Sequence, residues 1–112
     1  MIEKFLGKIE NAEFGTIVDY PFLMGLQLTF SLSGGCAGVG DGGEYTVNMS
    51  KECKWEGGEI ERNAKVYMRQ HELYELLKRA KVNFVSELKN KPVEVTLEDY
   101  TFKDFRILTE VL

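Results

Sequence analysis

The chain has 112 residues, of which 44% are apolar and 29% charged, and its formal net charge is −4. This length predicts one domain covering residues 1–112, with a core that needs neither disulfides nor a metal. The acidic surplus lies in residues 1–58, which carry four Lys/Arg against eight Asp/Glu, and it argues against nonspecific nucleic-acid binding, which requires a basic face.

The N-terminal half has the residue pattern of strands. A less regular candidate strand comes first, and a connection ending at Pro21 follows it. The next run alternates Met24, Leu26, Leu28 and Phe30 with smaller or polar residues, a period of two that is typical of a half-buried strand. A third run alternates in the same way. The predicted ranges are Phe5–Phe14, Gly15–Pro21, Phe22–Ser33 and Glu44–Met49.

The segment Ser33–Tyr45 contains six of the eleven glycines. Because it joins two alternating runs, it is predicted to be the long loop of a β-hairpin. Gly38, Gly40 and Gly43 satisfy G-x-G-x-x-G, but a strand follows them where a dinucleotide site needs a helix. The segment is therefore either a plain hairpin tip or a loop that contacts a ligand or partner.

The next segment, Ser50–Gly58, breaks the alternation and holds the only tryptophan, Trp55. Trp55 is interpreted either as a residue that covers the core or as a stacking anchor for a ligand. Ile60–Ala80 is predicted to be the main helix, with acidic residues at its start and basic residues at its end. Its apolar stripe is predicted to contain Ile60, Ala64, Tyr67 or Met68, His71, Tyr74 and Leu77, widened by Leu73, Leu76 and Ala80.

The C-terminal part predicts a short helix and two more strands. Asn83 is a suitable N-cap, Asn90 fits a left-handed helix end, and Pro92 stops the helix. The ranges are Phe84–Lys89 for the helix, Val93–Leu97 for a strand, Glu98–Thr101 for a turn, and Phe105–Leu108, with an extension to Val111, for the last strand. The order β-β-β-α-α-β-β predicts an α+β fold, an antiparallel sheet of about five strands with one main helix across a face.

The two cysteines are predicted to be free thiols. Cys36 lies at the predicted hairpin tip and Cys53 beyond its open end, too far apart for a disulfide, which suits a reducing cytoplasm. His71 is the only histidine, and no Cys/His/carboxylate spacing is diagnostic of a metal, so no metal or other cofactor is expected. Because His71 lies near the apolar stripe, it is interpreted as a packing residue.

No catalytic constellation emerges from the sequence, so the chain is predicted not to be an enzyme. A thiol nucleophile at Cys36 is the weaker alternative. The expected activity is binding. Glycine N–H groups would surround an anion, aromatic rings would stack, and arginines would supply charge. The candidate residues are Gly34, Gly35, Gly38, Gly40, Asp41, Gly43, Tyr45, Trp55, Arg69 and Arg106. Asp41 and Glu44 weigh against phosphate.

No targeting signal or membrane segment is visible, so a soluble cytoplasmic protein is expected. Polar and glycine residues interrupt the uncharged run from Tyr20 to Gly40, and a membrane-spanning helix would need about 20 mostly apolar residues.

Several motifs resemble a family of small proteins encoded in bacteriophage and prophage genomes. They are Gly7-Lys8-Ile9, Glu13-Phe14-Gly15, Met24-Gly25-Leu26, Gly38-Val39-Gly40, Cys53-Lys54-Trp55, Lys91 to Thr96 and the ending Phe105 to Leu112. The resemblance covers most of the chain and carries no catalytic residues. It implies an accessory protein that acts in the host cytoplasm against anti-phage defence.

Three hypotheses for function stay open at this point. The chain would inhibit a host defence protein, or it would sequester a nucleotide-type immune signal. The alternative is a structural or assembly subunit of a phage with no ligand. A homo-oligomer would help the second hypothesis, because a neighbouring copy would lend arginine or lysine side chains to the site.

Overall fold

The computed structural model describes residues 1–32, 35–39, 45–50 and 55–111. It confirms the predicted α+β class, with an antiparallel sheet and one main helix. The elements in chain order are β1 Ile2–Thr16, β2 Leu23–Leu32, β3 Gly35–Val39, β4 Thr46–Asn48, α1 Gly58–Ala80, a 3₁₀ helix Val85–Leu88, β5 Pro92–Glu98, β6 Thr101–Ile107 and a 3₁₀ helix Thr109–Val111.

The sheet follows the order β3-β2-β1-β5-β6, and all of its neighbouring strands are antiparallel. β1 occupies one side of β2, while β3 and β4 follow each other along the other side. The long β1 connects the two halves of the sheet. Its first half pairs with β5, and its second half pairs with β2.

The glycine-rich segment is only partly the loop that the sequence predicted. Gly35–Val39 forms β3, whose residues pair with Leu28–Leu32 of β2. Glycines erase the alternating side-chain pattern by which a strand is recognised, but their backbone N–H and C=O groups still pair with a neighbouring strand. Residues 33, 34 and 40–44 lie outside the described residues. The strand predicted at Glu44–Met49 is present as Thr46–Asn48 and pairs with the start of β2.

The sheet curls so that its two ends meet. The ring of Phe30 in β2 lies 5.9 Å from that of Phe102 and 5.0 Å from that of Phe105, both in β6. β1 and β5 separate β2 from β6 in the sheet, so these contacts require strong curvature. β3 and β6 accordingly approach within 8 Å between Cα atoms. The largest fully buried side chains fill the concave side and are Phe30, Ile9, Leu28, Leu88, Val93 and Val95.

The helix α1 packs on the core by its C-terminal half. Leu76 and Ala80 are buried there, and Leu73 and Leu77 pack against the same cluster. The predicted stripe is wrong over most of its length, because Ile60, Tyr67 and Tyr74 are 82%, 73% and 56% exposed, and Met68 and His71 are also exposed. Spacing of three and four identifies an apolar face, but it does not say which of two faces is covered.

The C-terminal elements differ from the prediction mainly at their ends. The short helix is 3₁₀ and is capped at Phe84, not Asn83, and the Glu87 carboxylate accepts the N–H groups of both residues at 2.9 and 3.2 Å. Asn90 has the expected left-handed conformation with φ 72°. The last strand begins at Thr101 and ends at Ile107, so it starts earlier than predicted and does not extend to Val111.

Among the helices of the described residues, none has the length and apolar character that crossing a membrane would require.

Candidate functional site

A cleft of about 520 Å³ lies between α1 and β6. Its apolar floor is formed by residues of β1, β2, α1 and β6, namely Phe14, Leu26, Leu73, Leu76, Phe105 and Ile107. Ligand pockets in proteins commonly enclose ~300–1,000 Å³ and combine an apolar lining with a few polar groups. The cleft therefore has the size and the lining of a site for one small molecule.

Charged side chains surround this floor. The described lining residues include three arginines, Arg69, Arg79 and Arg106, and three carboxylates, Glu72, Glu75 and Asp104. The curled sheet brings β6 opposite α1, so charged residues of both elements border one space. The formal charges of these six residues cancel. What the cleft can bind therefore depends on which arginines are already paired with a carboxylate.

Arg69 is held on its own helix by Glu72. Its Nη1 donates to Glu72 Oε1 at 3.1 Å and to Oε2 at 3.0 Å, and its side chain is 17% exposed. Positions three apart on a helix lie on one face, which places the two side chains side by side. The carboxylate fixes the direction of the guanidinium and balances much of its charge.

Arg106 bridges two further carboxylates on the exposed side of β6. Its Nε donates to Glu94 on β5 at 3.2 Å, and its Nη1 donates to Glu110 at 3.2 and 3.3 Å. The hydrogen bonds to Glu110 first and to Glu94 second raise the pKa of Arg106 above its ordinary value. The guanidinium is thus charged at every relevant pH, and its Nε and Nη1 already donate to carboxylates.

Arg79 differs from the other two arginines. It is exposed in the last turn of α1, and no carboxylate of the described residues forms an ion pair with it. From the sequence alone, Arg79 is only one of the basic residues at the end of the predicted helix. Its spacing of ten residues from Arg69, with Glu72 and Leu76 between them, could have placed all four on one flank of α1.

His71 lies at the rim of the cleft and not in the core, which corrects the interpretation of a packing residue. Its side chain is 59% exposed, and its Nε2 is 4.0 Å from Glu75 Oε1. Its ring lies parallel to that of Tyr67, with the centroids 6.3 Å apart. An exposed imidazole in this place can contact a ligand in the cleft or a partner beside the helix.

The structure brings together three of the ten predicted site residues: Tyr45, Arg69 and Arg106 all line the cleft. Tyr45 comes directly before β4, and its ring meets the edge of Phe105 at 6.2 Å. Its carbonyl also accepts the N–H of Leu26 at 3.2 Å. These contacts fix an aromatic ring at one side of the space.

The other predicted residues do not join this group in the structure. Trp55 precedes α1 and is absent from the cleft lining, and its indole Nε1 is buried with no hydrogen-bond partner among the described residues. Gly35 and Gly38 pair with Leu32 and Thr29 in the sheet. Four further predicted residues lie outside the described residues: Gly34, Gly40, Asp41 and Gly43.

The structure describes only one of the two cysteines that were predicted to be free thiols. Cys36 lies in β3 opposite Ser31, and Cys53 lies outside the described residues. Within the described part of the chain, no group of three or more His, Cys, Asp or Glu side chains could hold a metal ion.

Comparisons of the chain with protein-family models, with curated proteins and with solved structures gave no match.

Proposed function

We propose that the chain is a non-catalytic binding protein whose cleft holds a small ligand with a flat ring and a negatively charged group, as in a nucleotide. The observation that carries the proposal is the convergence of Tyr45, Arg69 and Arg79 on one cleft with an apolar floor. The floor and Tyr45 suit a planar ring system, since aromatic rings stack and bury area at small entropic cost. Arg79 supplies a cation that forms no ion pair with a described carboxylate.

The charge balance narrows the ligand class. Because three arginines face three carboxylates around the cleft, a ligand with one or two negative charges fits better than a triphosphate, whose charges would meet Glu72, Glu75 and Asp104. Cyclic nucleotides, cyclic dinucleotides and ADP-ribose derivatives have this combination of rings and modest charge. We therefore place a nucleotide-type signal ahead of an energy-carrying triphosphate.

The resemblance to phage and prophage proteins supplies the biological setting of the proposal. A small cleft without a catalytic constellation in the described residues suits a protein that removes a signal by holding it. In an infected cell, such binding would lower the concentration of a nucleotide second messenger that activates anti-phage defence.

The test is a thermal-shift and calorimetry screen against cyclic, linear and ADP-ribose-type nucleotides. A ligand that binds the native state raises its stability in proportion to the logarithm of concentration over Kd. Loss of a hydrogen bond to a charged group costs about 1.5–3 kcal/mol, so Arg79→Ala should weaken binding ~10–100-fold.

Lys65→Ala is the matched control, because Lys65 is a basic residue of the same helix outside the described cleft lining. This variant should bind as the unsubstituted chain does. If no ligand raises the melting temperature, or if Lys65→Ala weakens binding as much as Arg79→Ala does, the proposal for the cleft is wrong.

A second candidate function is inhibition of a host defence protein by direct contact. The observation that favours it is the exposed apolar tip of the β1–β2 hairpin, residues 18–22. Val18 is 91%, Tyr20 49% and Phe22 43% exposed, and the rings of Tyr20 and Phe22 meet edge to face at 6.2 Å. Exposed apolar clusters of this kind mark protein contact sites.

One assay distinguishes the two candidate functions. The chain is expressed in a bacterium that carries a nucleotide-signalling defence system, and phage plating is counted. Under the first proposal, Arg79→Ala abolishes the rescue of plating and Val18→Asp leaves it intact. The reverse pattern would establish the hairpin tip as the working surface.

A further inference from the structure

The helix α1 has a second apolar stripe that faces away from the core. Ile60, Tyr67 and Tyr74 recur every seven residues, and Ala64, His71 and Lys78 follow each of them by four. At about 100° per residue, these positions form one narrow stripe. The buried Leu76 and Ala80 lie on the opposite side of the helix.

The described part of the chain leaves this stripe uncovered. Ile60 is 82%, Tyr67 73% and Tyr74 56% exposed, and the exposed residues extend over five turns of the helix. Scattered apolar residues on a surface are ordinary, but a continuous row of large ones marks an interaction surface. Apolar residues at heptad spacing are the pattern by which one helix packs along another.

We propose that a second copy of this chain covers the stripe, with the two α1 helices packed antiparallel about a two-fold axis near the level of Arg69. Such an interface is self-complementary, because each copy offers the same patch to the other. It lies on a different side of α1 from the cleft floor, and of its described residues only His71 also lines the cleft. The dimer is expected whether or not the cleft binds a ligand.

The charges at the helix ends select the antiparallel orientation. Glu59 and Glu61 lie in the first turn of α1, and Lys78 and Arg79 lie in the last. An antiparallel pair places the acidic end of each helix beside the basic end of the other, whereas a parallel pair would align like charges. Charge complementarity of this kind sets orientation and register in helix pairs.

The sizes of the side chains agree with this arrangement. With the axis near Arg69, Tyr74 of one copy faces Ala64 of the other, so a large residue meets a small one. Tyr67 then faces His71, and aromatic rings face each other at the centre of the interface.

The exposed area is sufficient for a specific contact. At ~150–250 Å² for an aromatic side chain and somewhat less for isoleucine, the exposed parts of Ile60, Tyr67, His71 and Tyr74 amount to roughly 500 Å² per copy. Two copies then bury about the 1,000 Å² that a specific interface needs. We expect a dimer with a dissociation constant in the micromolar range, because an interface at the lower size limit gains little free energy beyond the entropic cost of association.

The first test is the mass of the protein in solution from about 1 to 100 µM, by light scattering or sedimentation. The unsubstituted chain should form a dimer, and Tyr67→Glu/Tyr74→Glu should be a monomer with an unchanged circular dichroism spectrum. The matched control is Tyr20→Glu/Tyr100→Glu, which replaces two exposed tyrosines outside the helix and should stay dimeric. A monomeric unsubstituted chain over this range would overturn the proposal and leave the stripe to a different protein.

The second test uses charge reversal. Glu59→Lys/Glu61→Lys should weaken the dimer at least tenfold, and adding Lys78→Glu/Arg79→Glu to the same chain should restore it. Both reversals oppose the helix dipole. If they acted only by weakening the helix, the fourfold variant would dimerise even less, whereas the proposal predicts recovery.

If the fourfold variant does not fold, the acidic-to-basic and basic-to-acidic double variants are mixed, and a heterodimer is expected. A dimer that responds to neither reversal would have another interface, and the proposal would be wrong.

Discussion

Gly7 lies where β1 pairs with two strands at once, opposite Leu32 of β2 and Val93 of β5. A Cβ atom at this position would collide with the backbone carbonyl oxygen of Ser31 and would lie 2.8 Å from Leu32 Cδ2. The sequence showed Gly7 only as an irregularity in the first strand. The close approach depends on how tightly two strands that are distant in sequence come together, which no local pattern reports.

We therefore expect Gly7→Ala to lower the free energy of unfolding by about 1–3 kcal/mol, the usual cost of forcing extra volume into a packed site. Gly15→Ala is the control in the same strand, because no atom lies within 4 Å of a Cβ built there, and it should change stability by less than about 0.5 kcal/mol. Urea denaturation of both variants measures the difference. Equal stability of the two variants would show that the contact at Gly7 relaxes at no cost.

The sequence predicted which types of residue would form the candidate site better than it predicted where in the fold they would lie. Tyr45, Arg69 and Arg106 were chosen because aromatic and cationic side chains suit a nucleotide-like ligand, and the structure gathers these three in one cleft. Arg79 was missed, because the flank of α1 that faces β6 is fixed only when the sheet curls. Trp55 was chosen for the same chemical reason as Tyr45, but it lies outside the cleft lining.

At the scale of elements, alternation of apolar residues was sufficient to find β2 and β5. It failed for β3, where glycines carry no pattern, and it shortened β6, where Thr101 to Lys103 alternates weakly. The helix α1 was found within two residues of its start. The face of α1 that packs on the core was not found, because α1 has apolar residues on two sides. Periodicity does not distinguish a face that packs on the core from one that stays exposed.

The turn between β5 and β6 offers a prediction at this scale. Asp99 and Tyr100 have φ values of 52° and 67°, the left-handed pair that a two-residue type I′ hairpin turn needs. Tyr100 is 91% exposed, so its side chain contributes little packing. Tyr100→Gly should relieve about 1–2 kcal/mol of backbone strain. After about 0.5–1 kcal/mol for the added entropy of the unfolded chain, it should raise the free energy of unfolding by a few tenths to about 1 kcal/mol.

Tyr100→Ala is the control for the turn, because alanine keeps the strained left-handed backbone and removes the ring. It should give no gain in a thermal unfolding experiment. If alanine stabilises the protein as much as glycine does, the benefit comes from losing the exposed ring, and the strain at this position is negligible.

The whole molecule depends on the curl of the sheet. β2 and β6 are separated by two strands within the sheet, but the rings of Phe30, Phe102 and Phe105 meet across the concave side. The sequence predicted strands and a helix across a face, but it could not predict this closure, because curvature arises from the summed twist of all strands and from the volume that the core must fill. The closure also forms the cleft, since it brings β6 opposite α1.

Phe30 is the residue on which this closure should depend most, because it is 0% exposed and contacts both rings of β6. Phe30→Ala should lower the free energy of unfolding by about 3–5 kcal/mol. Phe84→Ala removes the same ring from a site that is 68% exposed and should cost under about 1 kcal/mol. Urea denaturation compares the two, and Phe30→Leu serves as the milder substitution if Phe30→Ala does not fold. If Phe30→Leu or Phe30→Ala is no less stable than Phe84→Ala, the aromatic contacts across the curl do not hold the ends of the sheet together, and closure must come from the backbone pairing of β1 with its two neighbours.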